Sequence, residues 1–119
     1  MKLALLVLVA CAHAAPPPPV KSAPLSGAIP AALPAGYVTV VDYWAEWCGA
    51  CTIVTGMLAV QIANEPRVVV RKIDVGSDPK FSALPRFEVY DRLRRLRFIL
   101  VGSDCLRAPD LARQLLAEP

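Results

Sequence analysis

Cys48-Gly49-Ala50-Cys51 stands where one hydrophobic periodicity gives way to another, and that junction restricts the local fold more than any other stretch of the chain. Upstream, Tyr37 to Tyr43 (YVTVVDY) is β-branched and aromatic and reads as a buried strand interrupted by one acid, Asp42. Downstream, Thr52 to Asn64 carries Val54, Met57, Leu58 and Ile62 at helical spacing. The cysteine pair therefore sits where a strand hands over to a helix N-terminus. There, unpaired N–H groups and the helix dipole favour a thiolate, the species that attacks a disulfide. Cys48, at the helix start and open to solvent, is the expected nucleophile. Cys51, one turn inside, is expected to be sheltered and to resolve a mixed disulfide by attacking Cys48.

Pro66 ends the helix, and Arg67 to Val75 (RVVVRKIDV) reads as a second strand. Gly76 to Leu84 is a loop with one helical turn, and Pro85 introduces a third strand, Arg86 to Tyr90. After a turn at Asp91 to Arg95, Leu96 to Val101 makes the fourth strand and Gly102 breaks it. Pro109 suits the first turn of a last helix running from Ala108 to Ala117. A strand-helix-strand unit followed by a hairpin and a closing helix predicts an α/β domain over residues 36–119, with a mixed four-stranded sheet flanked by helices.

Composition narrows the function. The 119 residues are 55% hydrophobic and 19% charged, which suits one small domain with a compact core. A net charge of +3, part of it from Lys2 near the N-terminus, is too small a bias for nucleic-acid binding. The four cysteines do not form a stapling framework, because Cys11 lies in an apolar leader, Cys48 and Cys51 pair closely, and only Cys105 is left over.

That leader, Met1-Lys2 followed by Leu3 to Ala12, has the form of a secretory signal and is too short to span a bilayer. Residues 1–14 are read as a signal peptide with two competing cleavage patterns. Leu8-Val9-Ala10-Cys11 resembles the bacterial lipobox, in which the cysteine is acylated; Ala12-His13-Ala14 before Ala15 resembles an ordinary signal-peptidase site. The four-residue pattern is the more restrictive, so Cys11 is the preferred lipidation site. The chain is then expected to be exported, periplasmic and lipid-anchored to a bacterial membrane. Residues 15–35, opening with Pro16-Pro17-Pro18-Pro19, read as an extended, semi-rigid Pro/Ala-rich linker with at most a short helix around Ala28 to Leu33.

VDYWAEWCGAC resembles the active-site segment of the thioredoxin family, and ALPRFEVYD followed by ILVG resembles its cis-proline loop, hairpin and glycine. The resemblance covers Tyr37 to Ala117 and implies a thioredoxin-like fold, trimmed at its N-terminus. It implies a redox-active Cys48–Cys51 disulfide, no other cofactor and no metal. Asp42 resembles the buried acid beneath the pair, which helps deprotonate the resolving thiol, and burial should raise its pKa. Pro85 resembles the cis-proline that packs against the disulfide, with Leu84 offering its backbone to an extended substrate. Trp47, Gly49, Ala50 and Gly102 complete the implied substrate surface, and Trp44 supports it.

The implied activity is thiol-disulfide exchange on extracytoplasmic proteins in the reducing direction. Implied partners are protein disulfides and a membrane or thioredoxin-type redox donor, without nucleic acid, and the chain is expected to act as a monomer. Gly49-Ala50 matches neither the Gly-Pro of thioredoxins nor the His-containing pairs of oxidases and isomerases, so those directions remain alternatives, as does Cu(I) binding by the two thiolates. Three departures stand out. Val70 occupies the place of the lysine near the buried acid, with Arg71 and Lys72 displaced; Gly56 replaces the helix proline; and Asp74 to Pro85 is short. Cys105 is read as a partly buried free thiol, with an intermolecular disulfide as the alternative. Arg92, Arg94, Arg95 and Arg97 are read as a solvated turn, with anionic headgroups or an acidic partner as the alternative.

Overall fold

The structure, a computed structural model, describes residues 4–7 and 15–119; the cleavage patterns and Cys11 lie outside the described residues. Five strands form one sheet in the order β1-β3-β2-β4-β5: β1 (Ser22–Pro24), β2 (Val38–Trp44), β3 (Val68–Asp74), β4 (Arg86–Tyr90) and β5 (Leu96–Val101). β1 and β2 run parallel to β3, and β4 and β5 continue the sheet antiparallel. Helices α1 (Gly49–Gln61) and α2 (Ala108–Ala117) pack on one face.

Strand periodicity decides which side chain meets which layer. Val38 and Val40 of β2, Val68 and Val70 of β3, and Phe87 and Val89 of β4 join Val54, Leu58 and Leu115 of the helices in the main core. Asp42 and Lys72 continue those same alternations, so the sequence period alone carries both towards the α1 side. Val41, Tyr43 and Tyr90 point the other way, into a smaller cluster capped by Leu33.

That second face corrects two expectations. The sheet has five strands rather than four, and part of the stretch read as a linker is folded onto it. Ser22, Ala23 and Pro24 pair with Val70, Arg71 and Lys72, and Leu33 is 1% exposed. Leu25 and Ile29 pack against the same cluster. The proline content suggested an extended spacer, but Leu25, Ile29 and Leu33 recur every four residues and cover apolar sheet that no helix covers. Prolines suit an edge strand, where an absent N–H costs nothing. Around Ala28 to Leu33 the chain makes turns, with the Ala32 and Leu33 N–H groups donating to the carbonyls of Ala28 and Pro30, rather than a helix.

The loop from Val75 to Leu84 holds one 3-10 turn, Pro79–Phe81, and is pinned to the sheet where Phe81 stacks on Tyr43 at 5.0 Å between centroids. A second 3-10 segment, Gly102–Arg107, leads from β5 into α2. Among the described residues, no helix is long and apolar enough to cross a membrane.

Candidate active site

Helix α1 begins at Gly49 with Cys48 itself as the N-cap, at the helix start where the sequence placed it. Its Sγ accepts the Cys51 N–H at 3.1 Å, so the sulfur satisfies one of the helix's unpaired donors. The same geometry favours a Cys48 thiolate when the pair is reduced, since a charged acceptor at a helix N-terminus is stabilised by that donor and by the dipole. Cys48 and Cys51 are joined in a disulfide with Cα atoms 5.3 Å apart. Their exposures are 6% and 3%, so in the oxidised state Cys48 is more covered than its expected role as an open nucleophile implied. Gly49, Ala50 and Trp47 beside it are exposed. The Trp47 indole N–H donates to the Gly76 carbonyl at 2.7 Å, fixing the ring to the loop after β3.

Asp42 is fully buried in the middle of the sheet. Its Oδ2 accepts the Thr55 hydroxyl at 2.6 Å, while Oδ1 has no hydrogen-bond partner. Burial pushes its pKa up; the Thr55 hydrogen bond and the Lys72 charge oppose the shift without cancelling it. Thr55 is a residue the sequence reading passed over. Its signal is spacing: it lies four residues after Cys51, one turn along the same helix face, and is a hydroxyl in an otherwise apolar inward stripe.

Lys72 overturns a further expectation. In the parallel register of β2 and β3, Val70 sits beside Val40, and Lys72 is the partner of Asp42. The cation near the buried acid is therefore present. Its ammonium also lies 6.0 Å from the centre of the Trp44 ring, which gives that tryptophan a supporting role. Trp44, Cys51, Thr55, Gly56 and Lys72 line a cleft of about 330 Å³. An added Cβ at Gly56 would meet nothing within 4 Å, so glycine here leaves the cleft open. Cys51 thus shares a space roomy enough for several waters with the two residues that flank the unsatisfied acid.

Leu84–Pro85 is a cis peptide, and Pro85 is buried. Antiparallel pairing of Arg86 with Tyr43 brings Pro85 to the disulfide end of the sheet. Its carbonyl accepts the N–H of Gly102 at 2.8 Å, and Gly102 has a φ of +62°, a conformation that favours glycine. Leu84 is half-buried against the smaller cluster.

Cys105 is a free thiol and only 1% exposed, with Sγ 3.5 Å from the Pro85 carbonyl and 3.4 Å from that of Leu100. It braces the proline from inside the core. Burial pushes its pKa up to about 11, a backbone hydrogen bond at Phe87 pulls the other way, and the Asp42 charge adds to the rise. Among the described residues, no group of three or more His, Cys, Asp and Glu side chains could hold a metal ion.

A family model described as Thioredoxin matches residues 33–94, more than half of the chain and the whole span from Leu33 past the cysteine pair to the hairpin. The chain belongs to the thioredoxin family. It is 37% identical over 43 residues to the thioredoxin of Chlamydia trachomatis, a match covering 36% of this chain and 42% of that one. A longer match, to the thioredoxin of Coprinus comatus, is 27% identical over 90 residues and covers 69% and 84%. The matched segment thus spans about two fifths of the chlamydial thioredoxin but most of the fungal one. Among solved structures, oxidised mitochondrial thioredoxin 3 of Saccharomyces cerevisiae superimposes with a TM-score of 0.55 at 25% identity, covering 66% of this chain and 78% of that one. The thioredoxin-like fold is thereby shown, carrying a disulfide-capable pair at Cys48 and Cys51 and an edge strand and loops where the sequence suggested a linker and a trimmed N-terminus.

Proposed function

We propose that this thioredoxin-family chain is a thiol-disulfide oxidoreductase that reduces disulfides of extracytoplasmic proteins. The observation that carries the reading is the pairing of a helix-capping Cys48 with an unsatisfied, buried Asp42 whose neighbours Thr55 and Lys72 line one cleft with Cys51. A bare disulfide needs no such acid. The reduced pair begins as a Cys48 thiolate and a Cys51 thiol. Cys48 attacks one sulfur of the substrate disulfide, the other sulfur leaves as a thiolate, and a mixed disulfide forms. Asp42, ionised and raised in pKa, takes the Cys51 proton through water in the cleft. Cys51 then attacks Cys48 Sγ, the second substrate thiolate departs, and the Cys48–Cys51 bridge is restored. Two electrons have passed to the substrate. A dithiol donor, at the membrane or of thioredoxin type, returns them.

Trp47, Gly49 and Ala50 form the exposed rim over which a substrate strand lies, with Leu84 beside Pro85 and Gly102 lending backbone groups. We assign residues 1–14 to export, Cys11 to lipid attachment and the working compartment to the periplasm, on the basis of the leader pattern alone. The chain works as a monomer in this reading.

Insulin reduction with dithiothreitol as donor tests the activity. Turnover above the uncatalysed rate, abolished in Cys48→Ser, is the expected result. Equal rates with and without the protein would remove the oxidoreductase reading. Stoichiometric Cu(I) bound by the reduced pair, without turnover, would replace it with metal binding.

A further inference from the structure

The strand directions give the domain two unlike ends. β1, β2 and β3 all run towards the disulfide, so the turn between β4 and β5 and the start of β2 lie at the opposite end. There the Gly36 N–H donates to the Arg92 carbonyl at 3.0 Å, and the Val38 N–H to the Arg67 carbonyl at 2.9 Å, drawing three chain segments together. Arg67, Arg92, Arg94, Arg95 and Arg97 all belong to this end. Asp91 and Glu118 neutralise only part of that charge, through Arg95 and Arg97. Arg67 rests over the Tyr37 ring at 5.3 Å, and Arg92 donates to the Glu118 backbone carbonyl rather than to a carboxylate. Leu93, 71% exposed, projects at the turn between Arg92 and Arg94. An exposed apolar tip flanked by the half-buried Arg92 and Arg94 is matched to the boundary between headgroups and acyl chains.

The chain enters the domain at this same end. β1 starts at Ser22 beside Val70, and the Val70 N–H donates to the Lys21 carbonyl at 2.8 Å, so residues before Lys21 arrive from the arginine side. Between Cys11 and Lys21 lie nine residues, including the four prolines, a reach of roughly 28 Å at polyproline spacing. A group held at Cys11 would therefore attach to the domain from its arginine side.

We propose that the arginine end is a docking surface for an anionic lipid bilayer, which holds the disulfide end facing away into the aqueous space. The inference rests on the N-terminal reading given above, and it goes beyond tethering by assigning the domain an orientation and a lipid preference. Each arginine that reaches the negative surface adds about a fivefold factor to partitioning, and salt erodes it.

Flotation of the full chain with vesicles separates the two readings. Binding to phosphatidylcholine alone reports the N-terminal segment; the gain on adding phosphatidylglycerol reports the arginine end. The expected result is a gain that vanishes in about 0.5 M salt and falls roughly 20-fold in R92Q/R94N, with insulin turnover unchanged. Asparagine is chosen at position 94 because Arg94 has a φ of 63°, which asparagine adopts readily. Equal binding to both vesicle types, or a gain insensitive to salt in the unmutated chain, would overturn the proposal. No binding to phosphatidylcholine with a salt-sensitive gain on phosphatidylglycerol would defeat the N-terminal reading and leave the docking surface standing.

Discussion

Asp42 and Asp91 are both buried, towards opposite ends of the sheet, and they are treated in opposite ways. Asp91, 4% exposed, has both oxygens filled: Oδ1 accepts the N–H groups of Leu93 and Arg95, and Oδ2 the side chains of Arg95 and Arg97. Burial alone would raise its pKa, but the hydrogen bonds from Arg95, Arg97 and Leu93 outweigh it and hold the carboxyl below its usual range. Asp42, fully buried, has one hydroxyl partner and one empty oxygen, and its pKa is raised. A carboxylate whose valences are filled builds a turn. One left short beside a reactive sulfur is available to carry a proton.

Exchanging each acid for its amide probes the contrast most strongly through turnover. Asp42→Asn should slow insulin reduction on the order of 100-fold, the lower end of the usual contribution of a positioned general base, whereas Asp91→Asn should leave it within about twofold. Stopped-flow thiol exchange would place the Asp42→Asn defect in the resolving step. A defect in the first attack instead would reassign the acid to Cys48.

Stability should move the other way. Asp91→Ala removes four hydrogen bonds to a charged group and should cost on the order of 2–3 kcal/mol in urea denaturation. Asp42→Asn relieves an under-satisfied buried charge and should stabilise the fold at neutral pH by about 1–2 kcal/mol.

The pH dependence carries the same signs. Asp91 has a lowered folded pKa, so its contribution is present above the unfolded value of about 3.9 and lost as pH falls through the folded one. Asp42 has a raised folded pKa, so its cost is absent below about 3.9 and grows as pH climbs towards the folded value. Denaturation midpoints against pH should therefore flatten just above pH 4 in Asp42→Asn and below it in Asp91→Asn.

The smallest effect belongs to Cys105. With its thiol pushed up to about 11, it should stay protonated at neutral pH and escape iodoacetamide in the native reduced protein, while Cys48 is labelled. Cys105→Ala should cost about 1 kcal/mol and spare turnover. Native labelling of Cys105 ahead of Cys48, read by mass spectrometry, would contradict its burial.

Much of this was legible in the sequence because periodicity reports directly on layers. The strand over Val38–Trp44, the hairpin strands and the last helix follow from alternation and from Pro109, and the cysteine pair announces its position at the head of α1. Pairing partners were not legible. Lys72 beside Asp42 is a matter of register between strands some thirty residues apart, which counting along one strand placed two positions off. Thr55 was hidden for a similar reason, since its partner lies on another element. Composition hid the edge strand as well: proline suggested a solvated spacer, while the three large apolar residues that fold it back are only a small part of the segment.

The function rests on the direction in which Cys48 and Cys51 pass electrons, which their reduction potential reports when the protein is equilibrated against dithiothreitol or glutathione. A value close to the thioredoxin figure of about −270 mV is the predicted result. A value near −120 mV, at roughly the strongly oxidising end, would mean that the pair donates its disulfide to substrates, and the reductase reading would fall.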